Sequence, residues 1–350
     1  MKRSVSIFKD FFSANFEKQK PHSLVFLLLS LLIAAILLYI TLRGLDWEIF
    51  LDAVKSANLG YLSLLLVWSS ISYFLRALRW RVLLNSQKDT AVSSVFWANM
   101  AGYLGNNILP ARAGELVRAI YVAKKEKIPV AFILATGVTE RFIDLVALVI
   151  MGSVAVFWLD AFPLPIQKAL QSFSFFALGG IFFILLSPFF YSYMVRLIAN
   201  FPILNNKLKQ KILELLGYII KGVSAIRNLH RGVSFVVFTI MIWSMDTIGT
   251  TIVALSLNKT LSLLQAFLLI SALGLSSAIP STPGYVGVYQ FVAVTILANF
   301  GFQSEVSLAL ILLVQLLNLI IVFFWGGVSI LQTTRRTSKA HLINLENRND

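Results

Sequence analysis

Long apolar runs, separated by short basic or acidic segments, set the pattern of this chain. A helical crossing needs about 20 apolar residues, and runs of that kind predict spans at 24–42, 60–78, 131–158, 173–195, 233–257 and 306–331. Two stretches, 92–122 and 262–299, read differently: an apolar segment, a polar break containing proline, then a second mostly helical segment. Within 203–229, Leu204, Leu208, Ile212, Leu215, Ile219, Val223 and Ile226 recur every three or four positions with lysines on the other face. That is the period of a helix lying along a membrane surface.

Charge gives the runs a direction, because basic residues collect on the cytoplasmic side of a membrane. Lys2, Arg3, Lys9, Lys18 and Lys20 place the N-terminus there, and an acidic loop with Asp46, Glu48 and Asp52 follows outside. Arg76, Arg79, Arg81 and Lys88 then return inside, as do Arg118, Lys124, Lys125 and Lys127, so 92–122 makes no net crossing. By the same parity 262–299 makes none, if Arg335, Arg336 and Lys339 are to lie inside. Both stretches read as re-entrant hairpins of two half-helices, one from each side; pairs of short full spans are the alternative. The expectation is an all-α polytopic membrane protein with six spans and two hairpins in the inner (plasma) membrane. It would comprise a cytoplasmic N-terminus (1–21), a transmembrane region (22–333) and a cytoplasmic tail (334–350). The first apolar run is longer than a signal peptide's and lacks a small-residue cleavage site, so it reads as an uncleaved span.

Sliding the sequence by 170 residues lays Pro110 on Pro280 and Gly114 on Gly284, within "NNILPARAG" and "SSAIPSTPG". The same shift carries span onto span and hairpin onto hairpin, relating about 60–158 to about 230–331. By the charge argument the copies start on opposite sides, so the expected arrangement is an inverted repeat. In such proteins paired proline- or glycine-interrupted segments point to a binding site near the midplane.

Composition agrees with a membrane solvent: 58% of residues are hydrophobic and 13% charged, against about 25% charged in soluble domains. The net charge of +14 is explained by the basic flanks, and nucleic-acid binding is not expected. The chain has no cysteine, its three histidines lack ligand spacing, and no phosphate-binding G-x-x-x-x-G-K-[ST] pattern occurs. No metal, cofactor or ATPase chemistry is expected.

The polar residues within apolar runs are then the candidates, since each charge at a span centre costs about 2.5–3.5 kcal/mol on insertion scales. Glu140, Arg141 and Asp144 share one span, and Asp246 sits near the centre of another, its partner expected by elimination to be Arg112 or Arg141. Arg112, Glu115 and Arg118 recur every three residues after Pro110, with Glu115 expected to bridge the two arginines. Arginine takes phosphate in a bidentate manner, and a helix start presents free N–H groups. The second hairpin offers Pro280, Thr282, Pro283, Gly284, Gly287 and Gln290, its helix start facing the first from the opposite side. Together these make a site for an anionic headgroup. The plainer alternatives are a structural ion-pair network, an interfacial arginine anchor and prolines that merely end a helix.

In that order, "LPARAGELVRA", "TERFIDL" and "IPSTPGYVGVYQ" resemble the flippase-like transmembrane domain of the lysylphosphatidylglycerol synthase family. The resemblance runs from about residue 22 to 333. It implies an inner-membrane protein that moves or handles a phospholipid or polyprenyl-type lipid, with the three motifs supplying the polar residues. Gln290 stands where the family's third motif commonly has an acid, and the soluble aminoacyl-transfer domain is missing, so synthesis of aminoacylated lipid is not expected. The leading reading is a lipid translocase. Its rivals are a lipid or polyprenyl-phosphate transferase using Glu140 or Asp144 as base, and a scaffold for lipid-synthesis enzymes.

Overall fold

A computed structural model describes residues 21–109, 113–159, 179, 186, 190–200, 205–277 and 282–346. Among these, all regular structure is helical. Helix α1 (Pro21–Leu42) turns through 92° into the short α2 (Trp47–Lys55), whose first amides are capped by the Asp46 carboxylate. The acidic segment expected as a loop is therefore a helix. Helix α3 (Leu59–Leu84) runs six residues past the expected end of its span at 78, taking Arg79 and Arg81 into the helix. The first hairpin is α4 (Val92–Ile108) and α5 (Gly114–Glu126), followed by α6 (Val130–Leu159), α7 (Asn206–Arg227) and α8 (Leu229–Ser256). The second hairpin is α9 (Leu263–Ser276), a 3-10 turn (Pro283–Tyr285) and α10 (Val288–Ala298), and the chain closes with α11 (Ser304–Glu346).

Helices α3, α6, α8 and the Ser304–Gln332 part of α11 are long and apolar enough to cross a membrane, and the bent α1–α2 pair makes up to five. The remaining expected span, 173–195, lies largely outside the described residues, as does the N-terminal segment 1–20. The limbs α4, α5, α9 and α10 have 17, 13, 14 and 11 residues. At 1.5 Å per residue they measure roughly 26, 20, 21 and 17 Å, short of the ~30 Å hydrocarbon core.

Three hydrogen bonds show that each hairpin returns to the edge it left. Lys88, just after α3, donates its ammonium to the Glu126 carbonyl at 2.7 Å, tying the start of the first hairpin to its end. The Asn58 N–H donates to the Ser256 carbonyl (2.8 Å), and the Asp46 N–H to the Glu305 carboxylate (3.2 Å). Asp46 and Asn58 bracket the short α2, so the end of α8 and the start of α11 share one edge of the molecule.

The first pair of corresponding helices, α3 and α8, runs antiparallel: Asn58 meets Ser256 at one end, and the Trp68 indole donates to the Met245 carbonyl (2.8 Å) further along. The first limb of each hairpin also packs on the other half. Helix α4 packs on α11, the closing span of the other half, and α9 packs on α6. A two-fold relation demands this reciprocity. The two largest apolar cores each gather one half, one around Trp80, Leu83, Ala98, Ala119 and Phe132, the other around Val253, Leu269, Ala293, Leu308 and Ile311.

At the first hairpin, α4 and α5 approach too closely for any side chain at Gly114, where a Cβ would lie 1.9 Å from the Gly102 carbonyl oxygen. In the second, Gly287 adopts φ +88°, and a Cβ there would stand 2.4 Å from the Ala34 oxygen of α1. Glycine alone fits both places.

Candidate functional site

The stripe Ser72, Arg76 and Arg79 on α3 recurs at helical spacing and faces α6 and α8. Arg79, 1% exposed, donates to Asp144 at 2.6 Å and to Glu140 at 2.9 Å. Arg118 on α5 reaches the other Glu140 oxygen at 3.1 Å and Glu115 at 2.5 Å. Glu115 in turn accepts from Arg141 at 3.1 Å, and Arg141 lies 3.8 Å from Asp144. Arg76 forms an ion pair with Asp246 on α8, which also accepts from the Ser72 hydroxyl at 2.9 Å. Each of Arg76, Arg79 and Arg118 lies over an aromatic face: Trp243 (5.7 Å), Phe235 (5.2 Å) and Trp80 (4.4 Å). Pairing offsets the cost of holding charges away from water, and stranding one partner of such a pair costs about 3–5 kcal/mol.

Beside this network lies a cavity of about 950 Å³ between the two halves. Arg76, Glu115, Arg141, Asp144 and Asp246 form its charged wall, joined by Ser72, Tyr73, Tyr103, Asn106 and Asn107. Leu273 on α9 and Ile311, Val314, Leu319 and Phe323 on α11 supply apolar lining, with Gly284 and Tyr285 of the second hairpin and Gln315 of α11. The hairpins meet here: a Cβ on Gly284 would lie 3.8 Å from the Asn107 side-chain oxygen. The rings of Tyr285 and Tyr289 stack at 4.6 Å. The charge belongs almost wholly to one half. Shifted by 170, the positions of Arg79, Glu115, Arg118, Glu140, Arg141 and Asp144 are Gly249, Tyr285, Val288, Leu310, Ile311 and Val314.

The expected residues divide accordingly. Glu115, Arg141, Asp144, Asp246, Gly284 and Gln290 line the cavity, and Arg118 and Glu140 stand behind them as buried partners. Arg112 and Pro280 lie outside the described residues. Thr282 turns its hydroxyl to the Val286 carbonyl (3.0 Å), and Gly287 packs against α1 rather than the cavity. Two expectations need correction. The partner of Asp246 is Arg76 rather than Arg112 or Arg141. Glu115 pairs with Arg118 as expected and also takes the Arg141 guanidinium from α6. The helix start at Gly287 does not offer its first N–H to a ligand, because Gln290 accepts it at 2.6 Å. Gln290 then donates to Gln315 (2.5 Å), which donates to the Gly284 carbonyl (2.9 Å). The amide pair fastens the turn to α11.

The match to known proteins follows the same extent of chain. The lysylphosphatidylglycerol synthase TM region family matches residues 27–326. A UPF0104 membrane protein of Methanocaldococcus jannaschii is 26% identical over 226 residues, 64% of this chain and 91% of the relative. A second UPF0104 membrane protein, from Pyrococcus horikoshii, is 21% identical over 330 residues, 89% of this chain and 97% of its own length. No solved structure matches.

Proposed function

Because the chain belongs to the lysylphosphatidylglycerol synthase TM region family, we propose that it is a lipid translocase of the inner membrane, its termini on the cytoplasmic face. Its substrate is a phospholipid or related phosphate-bearing amphiphile. The observation that carries this reading is the cavity between the two halves, lined both by charged residues of α3, α5, α6 and α8 and by apolar residues, many of them on α9 and α11. An amphiphile needs both surfaces: arginines to receive a phosphate in place of water, and an apolar wall along which acyl chains stay in hydrocarbon-like surroundings. The two broken hairpins meet at this cavity, where irregular backbone at membrane depth is tolerated. With no ATP-binding motif in the sequence, movement is passive or coupled to an ion gradient.

The test is headgroup accessibility in liposomes containing purified protein. Acyl-labelled phospholipids are expected to equilibrate between leaflets faster than in protein-free liposomes, and Arg141→Gln to slow that exchange by about tenfold, the worth of one charge-assisted contact. If labelled lipids keep their distribution under every ion gradient imposed, the translocase reading fails.

A further inference from the structure

Among the described residues the charged network beside the cavity is balanced: four arginines meet four carboxylates, and each of these guanidinium groups has a carboxylate within 4.0 Å. Arg79, Arg118 and Glu140 are sealed, with side chains at most 4% exposed, and Asp144 meets the cavity with only 7% of its side chain exposed. The four that remain accessible are Arg141 (47%), Glu115 (32%), Asp246 (23%) and Arg76 (16%), two of each sign, standing as two ion pairs.

That balance constrains what binds. A phosphate that binds any of these described guanidinium groups alone draws it away from its carboxylate, leaving the carboxylate uncompensated in surroundings of low dielectric. A headgroup that carries an ammonium beside its phosphate exchanges both halves of a pair at once. The phosphate takes Arg141 or Arg76, the ammonium takes Glu115 or Asp246, and no charge is stranded. The aromatic lining serves the same end, since Tyr73 and Tyr103, 5.2 Å apart, and the stacked Tyr285 and Tyr289 present ring faces of the kind that attract cations.

Resting on the translocase reading for its setting, we infer that the preferred ligand of this cavity is a zwitterionic phospholipid headgroup, a phosphate linked by a short chain to an ammonium. A purely anionic headgroup is disfavoured by the two carboxylates.

Binding and transport separate this inference from the reading it rests on. Purified protein in detergent is titrated with three lipids of identical acyl chains: phosphatidylethanolamine, its N-acetyl derivative, which lacks the cation, and phosphatidylglycerol. Bound lipid is counted by native mass spectrometry. Phosphatidylethanolamine is expected to bind about tenfold more tightly than either of the others, and Glu115→Gln or Asp246→Asn to reduce that preference to about twofold. The comparison of lipids needs no variant, so a misfolded mutant does not decide it. N-acetylated lipid or phosphatidylglycerol binding as well as phosphatidylethanolamine overturns the inference, whether or not lipid moves in liposomes. Preferential binding of phosphatidylethanolamine without movement upholds it and removes the translocase reading.

Discussion

Arg79 is the residue on which the buried charges depend. It holds Glu140 and Asp144 together, two carboxylates one helical turn apart on α6 that share its guanidinium. Arg79→Met is expected to destabilise the protein by about 3–5 kcal/mol, a large part of a fold's usual 5–15 kcal/mol. It should appear as early loss of the monodisperse peak when detergent-solubilised protein is heated before size-exclusion chromatography. Adding Asp144→Leu rebalances the charge and is expected to recover at least half of the loss, the remaining Glu140 keeping Arg118. The α6 charges were legible in sequence because they interrupt a long apolar run. Arg76 and Arg79 were not, because hydropathy falls before Arg81 and Lys88 and made all four look like a cytoplasmic flank. The available signal was the helical stripe Ser72, Arg76, Arg79, with Leu75, Ala77 and Trp80 continuing the apolar faces around it.

At the level of elements, the half-helices exist because small residues let them fold back on themselves. Gly114→Ala would press a methyl group into the Gly102 carbonyl and the Asn106 amide, both backbone, so the hairpin must open rather than a side chain move. The expected outcome is a loss of more than about 2 kcal/mol, seen as a lower midpoint of thermal unfolding, whereas Gly327→Ala on α11, with nothing within 4 Å, does not lower the midpoint. The hairpins themselves could be read from the proline and glycine breaks together with charge parity. Their fastening could not. The Gln290–Gln315 bridge and the ion pairs from α3 to α6 and from α6 back to α5 join segments far apart in sequence, and no local pattern encodes which side chain meets which.

Among the described residues the two edges of the molecule differ in charge, one strongly basic and the other carrying most of the exposed acids. Arg81, Lys88, Lys124 and Lys125 gather at the edge where α3 ends and the first hairpin begins and returns, while Asp46, Glu48, Asp52 and Glu305 gather at the other. With no native cysteine in the chain, single cysteines report these edges cleanly. In intact cells a membrane-impermeant maleimide is expected to label Asp52→Cys and to spare Lys88→Cys until the cells are opened; the reverse result would turn the protein over in the membrane. The contact between Arg76 and Asp246 has a consequence of another kind. The two residues stand 170 positions apart, the shift that lays one proline break on the other, so they are corresponding positions in contact. In a dimer of identical chains that place would set an arginine against an arginine or an aspartate against an aspartate. The ion pair there depends on the two segments differing in sequence, with an arginine in one and an aspartate at the corresponding place in the other.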